Sequence, residues 1–198
     1  IIFFNCFFCF FNSMIFNKYN SLKLTNISAP CIVSSKRFKE TISSEPIMYI
    51  GQETNEWVNY KETDISLDII EDEYDSFYID YGTTKTQFWR FLKKATGIDY
   101  QDFHKSIIWC NTLIFGRQHE KGTPKITEEV KQMSIDYLLF LYNYFKPSKV
   151  IIVAGPNNPY YEIIISFLKE INSSLIVQYP TTDKYLITDD EKNIIWTY

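Results

Sequence analysis

The sequence predicts an α/β fold of three layers, with a mostly parallel central sheet covered by helices on both faces. Apolar runs of strand length occur at Ile47–Ile50, Ile107–Leu113 and Val150–Ala154. Helical patterns separate these runs, and alternating strands and helices are typical of a parallel sheet. Gly or Asn lies at or just after the end of each apolar run. We therefore expect the carboxyl ends of the strands to bring Gly51, Asn111 and Gly155 to one edge.

Length and composition indicate a single globular domain. The chain has 198 residues, of which 45% are hydrophobic and 22% charged. Aromatic residues make up 18%, so many of them must lie at the surface or line a groove. The net charge of −4 argues against broad electrostatic binding to nucleic acid, but it is compatible with a local basic face.

The first 16 residues form an apolar, aromatic run of doubtful status. A signal or membrane anchor is one interpretation, but no basic residue precedes the run and it is short for a span. Translated upstream sequence, with Met14 as the true start, or a fragment is the interpretation we favour. Residues 17–198 are then predicted to form one domain that is incomplete at its carboxyl end.

Four cysteines raise the question of a metal site. Cys6 and Cys9 have the spacing of half a site, but no second close pair exists. All four cysteines, including Cys31 and Cys110, are better explained as free, mostly buried thiols in a reducing cytoplasm. We expect no metal, no cofactor and a cytoplasmic location.

The next element after the first strand is a long acidic connection over residues 58–82. A metal site is one interpretation of its carboxylates, and a solvated loop is the other. The loop is favoured because no ligand spacing recurs.

Helices and further strands follow in order. Thr86–Ala95 is predicted to be an amphipathic helix that ends at Gly97, with four buried apolar residues: Phe88, Trp89, Phe91 and Leu92. Thr127 is expected to begin a helix that extends to Phe145, and Pro159 begins another. The remaining strand candidates are Leu175–Val177 and Ile194–Thr197.

Gly51-Gln52-Glu53-Thr54-Asn55 follows the first predicted strand, and together with three later segments it resembles the uracil-DNA glycosylase superfamily. The first motif of that superfamily reads Gly-Gln-Asp-Pro-Tyr in one branch and Gly-Glu-x-Pro-Gly in others. Ile107 to Leu113 resembles the strand whose asparagine reads the flipped base. Phe145 to Gly155 resembles a segment of helix, Lys-Pro, strand and Gly. Ile194 to Tyr198 resembles the strand that leads into a His-Pro motif, and the resemblance extends from residue 45 to the end.

The resemblance implies roles for individual residues. Asn111 would read the base edge, because its amide offers a donor beside an acceptor; the alternative is a strand-end asparagine that bonds its own loop. Glu53 would place a water, or else bond backbone amides of its loop. Gln52 would act through backbone N–H groups, and Gly51 would allow the backbone to approach a ligand closely.

Other positions in the motif set are less directly assigned. Tyr81 aligns best with the residue that stacks on the base, with Phe77 and Tyr78 as rivals. Asn55 stands where some branches carry a tyrosine that excludes the methyl group of thymine, and Thr54 stands in place of a proline.

Additional donors and basic residues complete the candidate set. His104 and His119 are alternatives for the histidine of the His-Pro motif, but neither is predicted to lie at a strand end. The basic residues from Arg117 to Lys125 either contact phosphates or form a solvated loop. With the His-Pro motif absent, we expect this exact chain to be weak or inactive on uracil-containing DNA.

The predicted function is hydrolysis of the N-glycosidic bond of uracil or a related deaminated base in single- or double-stranded DNA, by a monomer that flips the base. A catalytically silent nucleic-acid-binding module on the same fold is the alternative, since fold does not fix function. A hydrolase of small nucleosides or nucleotides is a third hypothesis, and it requires a closed pocket.

Overall fold

The computed structural model describes residues 2–22, 26–36, 43–54, 57, 65–77, 86–118, 123–155, 159–171, 187–188 and 194–196. The chain divides into two compact units, and each consists of three segments. Unit 1 comprises Ile1–Ser43, Thr54–Ser106 and Phe115–Pro124, and unit 2 comprises Ser44–Glu53, Ile107–Ile114 and Lys125–Tyr198. The prediction of one domain over residues 17–198 stays a prediction.

Unit 2 contains a sheet whose described part has five strands. The strands are β1 (Ile47–Gly51), β2 (Ile107–Asn111), β3 (Lys149–Ile152), β4 (Ile187–Thr188) and β5 (Ile194–Trp196). Their order across the sheet is β2-β1-β3-β5-β4. The first four strands in this order run parallel, and only β4 pairs antiparallel. The predicted α/β class and mostly parallel sheet are therefore confirmed.

The three predicted strands are neighbours, with β1 in the centre. Ile47 pairs with Ile107 on one side and with Lys149 on the other, so the three strands begin in register. All five side chains of β2 are buried, and so are those of β1 from Met48 onward. Near-continuous apolar runs are expected in parallel strands that are buried on both faces.

Two helices of unit 2 follow the predicted boundaries closely. Helix α5 (Glu128–Phe145) begins after Thr127, whose hydroxyl accepts a hydrogen bond from the N–H of Val130. Helix α6 (Tyr160–Ile171) begins immediately after Pro159. Lys131 of α5 forms an ion pair with Glu162 of α6 at 2.6 Å, which ties the two helices together.

Unit 1 contains four α-helices in its described part. They are α1 (Ile2–Ser21), α2 (Leu67–Ser76), α3 (Gln87–Thr96) and α4 (Phe103–Ser106). Helix α3 is the predicted one: Thr86 caps its first turn, and Gly97 ends it in the left-handed region at a φ of 73°. None of the described helices is long and apolar enough to cross a lipid bilayer.

The prediction of a solvated loop across the acidic connection is wrong between residues 67 and 76, where α2 lies. Ser66 caps this helix by accepting a hydrogen bond from the N–H of Ile69. Ile70, Glu71 and Tyr74 of α2 are buried, and Glu71 is only 3% exposed. Spacings of three and four residues place these side chains on one face, a periodicity that the many carboxylates obscure in the sequence.

The apolar amino-terminal run is part of a longer helix that contacts α2. Helix α1 continues past residue 16 to Ser21, and Phe8 and Ile15 are buried. The Asn12 amide donates hydrogen bonds to the Val33 carbonyl at 3.0 Å and to the Glu71 carboxylate at 2.8 Å. Ser35 donates a further bond to Glu71 at 2.7 Å. Neutral donors thus satisfy a buried carboxylate.

Smaller differences from the sequence predictions concern boundaries and burial. Of the four residues of α3 that are predicted to be buried, only Trp89 and Leu92 are; Phe88 is half-buried and Phe91 is 37% exposed. β2 ends at Asn111 and β3 at Ile152, each two residues before the predicted end. The short strand β4 was not predicted. The candidate strand Leu175–Val177 lies outside the described residues.

We expect Asn12→Ala to lower the free energy of unfolding by about 3 kcal/mol. The change removes donors from two buried acceptors, each of which costs about 1–3 kcal/mol when left unpaired. Urea unfolding provides the measurement. Asn17→Ala is the control, because Asn17 is exposed on the same helix and should change stability by no more than about 0.5 kcal/mol. Equal effects of the two substitutions would show that the buried bonds do not form.

We expect Gly116→Ala to destabilise the protein by about 3 kcal/mol or more. A Cβ atom at this position would lie 1.5 Å from the backbone oxygen of Thr54, so the backbone of unit 1 must move. Gly97→Ala is the comparison, since a Cβ there meets no atom within 4 Å but the positive φ costs about 1–2 kcal/mol. In thermal or urea unfolding, Gly116→Ala should have a clearly lower free energy of unfolding than Gly97→Ala. The opposite order would contradict the close contact between Gly116 and Thr54.

Candidate active site

The order of the strands identifies one edge of the sheet as the place for a ligand. From β1 the chain adds β2 on one side, and it then adds β3 on the other side of β1. The direction of chain progression therefore reverses between β1 and β3. In open α/β sheets, ligands bind outside the carboxyl ends of the strands at such a switch point.

Polar groups from β1 and β2 meet at this edge through the parallel register. Gly51 pairs with Asn111, so the ends of both strands are level. The Gly51 carbonyl accepts hydrogen bonds from the N–H and the hydroxyl of Thr112, at 2.9 and 2.8 Å. The Gln52 carbonyl accepts a bond from the N–H of Leu113 at 2.8 Å. These bonds fix the loop that follows β1 against the loop that follows β2.

The loop after β3 approaches the same place from the other side of β1. The N–H of Val153 donates to the Ile50 carbonyl at 2.9 Å, which continues the pairing beyond β3. A Cβ atom at Gly155 would lie 3.0 Å from the side-chain nitrogen of Gln52. The Gln52 side chain therefore spans the crevice between β1 and β3. The predicted meeting of Gly51, Asn111 and Gly155 at one edge is confirmed.

Asn111 has an unusual hydrogen-bonding state for a buried amide. Its side chain is only 5% exposed, yet its Nδ2 atom has no hydrogen-bond partner among the described residues. Buried polar side chains are satisfied in the great majority of cases, and an unpaired one costs about 1–3 kcal/mol. An unpaired buried donor at the ligand edge is the arrangement expected of a group that pairs with a bound molecule.

Glu53 faces the crevice from the end of the loop after β1. Its carboxylate is half-buried, and its Oε2 atom accepts a hydrogen bond from the hydroxyl of Tyr160. Tyr160 is buried and is the first residue of α6, so the bond joins the segment after β1 to the segment after β3. The predicted alternative, in which Glu53 bonds amides of its own loop, remains a prediction.

Burial changes the acidity of the Glu53 carboxyl group. Desolvation raises its pKa above the ordinary value of 4.5, and the hydrogen bond from Tyr160 opposes this rise in pKa. A carboxylate with a raised pKa holds a proton more readily than an exposed one, which suits a group that accepts a proton from water. Perturbed carboxyl groups in a crevice are typical of functional sites.

The remaining predicted site residues are either outside the described residues or located in unit 1. Asn55, Tyr81, Tyr78 and His119 lie outside the described residues. Phe77 belongs to an aromatic cluster of unit 1, where its ring lies edge-on to Trp57 at 5.3 Å and tilted to Trp89 at 6.4 Å.

Of the other predicted donors and basic residues, His104 and Arg117 also lie in unit 1, Lys125 belongs to unit 2, and Lys121 lies outside the described residues. His104 lies on the short helix α4. Arg117 forms an isolated antiparallel bridge with Ile27. Their predicted roles at the DNA stay predictions.

Tyr160 and Thr112 are the site residues that sequence reasoning missed. Tyr160 follows Pro159 at the start of a predicted helix, and tyrosine at such a position is commonly a core residue. Thr112 directly follows the predicted base-reading asparagine. The sequence offers one signal for Thr112, which is its position next to Asn111. It offers none for Tyr160, because only the fold brings this residue to Glu53.

Cysteines and acidic residues form no metal centre in the part of the chain that the structure describes. No group of three or more His, Cys, Asp or Glu side chains is arranged to hold an ion there. Cys31 and Cys110 are buried, as predicted, whereas Cys9 is exposed. The expected lack of a metal and of a cofactor stays a prediction.

No family model, curated protein or solved structure matches this chain.

We expect Asn111→Leu to leave the free energy of unfolding unchanged or to raise it by up to about 2 kcal/mol. Leucine has a similar size, and it removes a buried donor that lacks a partner. Thr112→Val is the matched comparison at the next residue. It removes the hydrogen bond that the Thr112 hydroxyl donates to the Gly51 carbonyl, and it should lower the free energy of unfolding by about 1 kcal/mol. Urea unfolding distinguishes the two, and a loss of more than about 1 kcal/mol in Asn111→Leu would assign Asn111 a structural role.

Proposed function

We propose that the chain is a DNA base-excision glycosylase of the uracil-DNA glycosylase type, on a three-layer α/β/α fold. Its substrate in this proposal is uracil or a related deaminated base in DNA. The observation that carries the proposal is the unpaired, buried amide donor of Asn111 at the ligand edge of the sheet. The resemblance of the segments around Gly51, Asn111 and Gly155 to the superfamily motifs supports it.

Asn111 suits the recognition of a flipped pyrimidine. Its Nδ2 donates to a carbonyl oxygen of the base, while Oδ1 accepts from the adjacent ring N–H. When the bond from base to sugar breaks, negative charge develops on that carbonyl, and a donor already in place stabilises it. Because Nδ2 has no partner among the described residues, this donor is available without any protein bond being broken.

Glu53 suits the activation of the attacking water. In the proposed reaction the water oxygen bonds to the sugar C1′ as the C1′–N bond breaks, and the water proton passes to the Glu53 carboxylate. The departing base takes the electron pair of the broken bond. The raised pKa of Glu53 makes it a better proton acceptor, and its negative charge favours the positive charge that builds on the sugar.

The pairing of Gly51 with Asn111 brings the two candidate residues to neighbouring strand ends, which supports the proposal. Asn111 ends β2, and Glu53 lies two residues beyond the Gly51 that pairs with it. Gln52 lies between Gly51 and Glu53 in the sequence. Its side chain lies next to Gly155 and lines the crevice. The site thus offers base-edge recognition and a proton acceptor within one continuous set of strand ends, which is the combination that base excision requires.

Two substitutions in the full chain test the roles by single-turnover excision. Glu53→Gln keeps the volume and removes the charge, so we expect about a hundredfold loss of rate with DNA affinity unchanged. Asn111→Asp keeps the shape but replaces donors with acceptors, so we expect a change in which base is excised as well as a lower rate. DNA affinity is measured in parallel at a stated salt concentration.

Matched controls use exposed residues of the same types in unit 2. Glu170→Gln on α6 and Asn143→Asp on α5 should retain the wild-type rate. Wild-type rates and base preference in both site variants would contradict the assignment. Binding of DNA without excision by the wild-type chain, also when it is extended beyond Tyr198, would favour the silent nucleic-acid-binding module.

A further inference from the structure

We infer that Tyr160 is the residue that positions the Glu53 carboxylate, by a hydrogen bond across the crevice between β1 and β3. The inference rests on the proposed function, since it specifies how the group that activates water is held. Tyr160 contributes no group to the substrate in this scheme, so it is a positioning residue.

The place of Tyr160 in the fold makes it a rigid anchor. Its side chain is only 4% exposed, and it begins α6 directly after Pro159. Helix α6 is held to α5 by the ion pair between Lys131 and Glu162. Four of the residues that follow Tyr160 on α6 are also buried: Ile163, Ile164, Phe167 and Leu168. A hydroxyl held in this way has little freedom to follow a moving carboxylate.

Glu53, in contrast, lies at the end of a loop. The segment after β1 is bonded through the carbonyls of Gly51 and Gln52, and these bonds do not fix the Glu53 side chain. Tyr160 donates to Oε2, and no other described residue has a hydrogen bond assigned to this carboxylate. The bond therefore selects one side-chain orientation and leaves Oε1 to hold the water.

The hydrogen bond also acts on the ionisation of Glu53. Of the described groups, Tyr160 is the one whose interaction changes the pKa of this carboxyl group, and it lowers that pKa against the larger, opposing effect of burial. Removing the hydroxyl is therefore expected to raise the pKa of Glu53 further. The charged form, which accepts the proton, would then be lost at a higher pH.

Tyr160→Phe in the full chain tests the inference, because it removes the hydroxyl and keeps the buried ring. Tyr142→Phe is the control: Tyr142 lies in unit 2 on α5, and its ring packs edge-on against Phe167 at 6.0 Å. Carbon-13 NMR follows the titration of the Glu53 carboxyl group in each variant. Single-turnover excision of uracil from DNA is measured over the same pH range.

We expect the Glu53 titration to move to higher pH in Tyr160→Phe and to stay in place in Tyr142→Phe. The acidic limb of the excision profile should move in the same direction. The excision rate on the plateau should fall about tenfold, because a hydrogen bond to a charged group typically contributes at least one factor of ten. A residue with a merely structural role would not move the pH profile.

The two measurements separate the inference from the function on which it rests. An unchanged Glu53 titration in Tyr160→Phe overturns the inference, whether or not the chain excises a base. A shifted titration with a normal plateau rate and an unmoved acidic limb also overturns it, because Glu53 would then be bonded but not positioned for reaction. A shifted titration without excision by any variant, also when the chain is extended beyond Tyr198, supports the hydrogen bond and contradicts the glycosylase proposal.

Discussion

The placement of β1 between β2 and β3 is the constraint on which the candidate site depends. Because all three strands run parallel and begin in register, their carboxyl ends are level. The Gly51 carbonyl accepts two hydrogen bonds from Thr112, and the Ile50 carbonyl accepts one from Val153. A shift of β1 by one residue would turn its side chains to the other face and separate Gly51 from Asn111. The register of the sheet therefore determines where the loops that form the site begin.

The site lowers stability locally in a way that the core of unit 2 offsets. Asn111 keeps a buried donor unpaired, and Glu53 carries its carboxylate into a partly desolvated position. Both features are unfavourable for folding, and features of this kind concentrate at functional sites. The strands beneath them are almost wholly buried and apolar. A rigid apolar sheet can hold an unpaired donor and a partly desolvated carboxylate at its edge, whereas an exposed loop would relax around them.

The sequence predicted those parts of the fold that depend on local patterns. The strands at residues 47–50 and 194–196 and the helices capped by Thr86 and Thr127 follow from apolar periodicity and capping residues, which act over a few positions. Helix α2 was missed because its carboxylates suggest a solvated loop, and Glu71 is buried only because Asn12 and Ser35 donate to it from distant parts of the chain. When neutral donors from distant parts of the chain bond a buried carboxylate, no local pattern in the sequence reveals it.

Some residues of the candidate site could be assigned from local patterns in the sequence, and one could not. Gly51 and Asn111 could be assigned to one edge because each lies at the end of an apolar run, and parallel strands bring such ends together. Tyr160 could not be assigned, since 107 residues separate it from Glu53 in the sequence. The relation between them exists only once β3 lies beside β1. Predictions from sequence thus recovered the groups at strand ends and missed the group that a helix supplies.

The crevice between β1 and β3 also depends on the strand that is last in the sequence. The indole N–H of Trp196, in β5, donates to the carbonyl of Ala154 at 2.8 Å. Ala154 directly precedes Gly155, which lies against the side chain of Gln52. Because Trp196 is buried and paired through β5 to β3, it fixes the backbone of Ala154, where the chain leaves the sheet. The backbone on the two sides of the crevice is therefore held by neighbouring strands, by β2 at Gly51 and Gln52 and by β5 at Ala154.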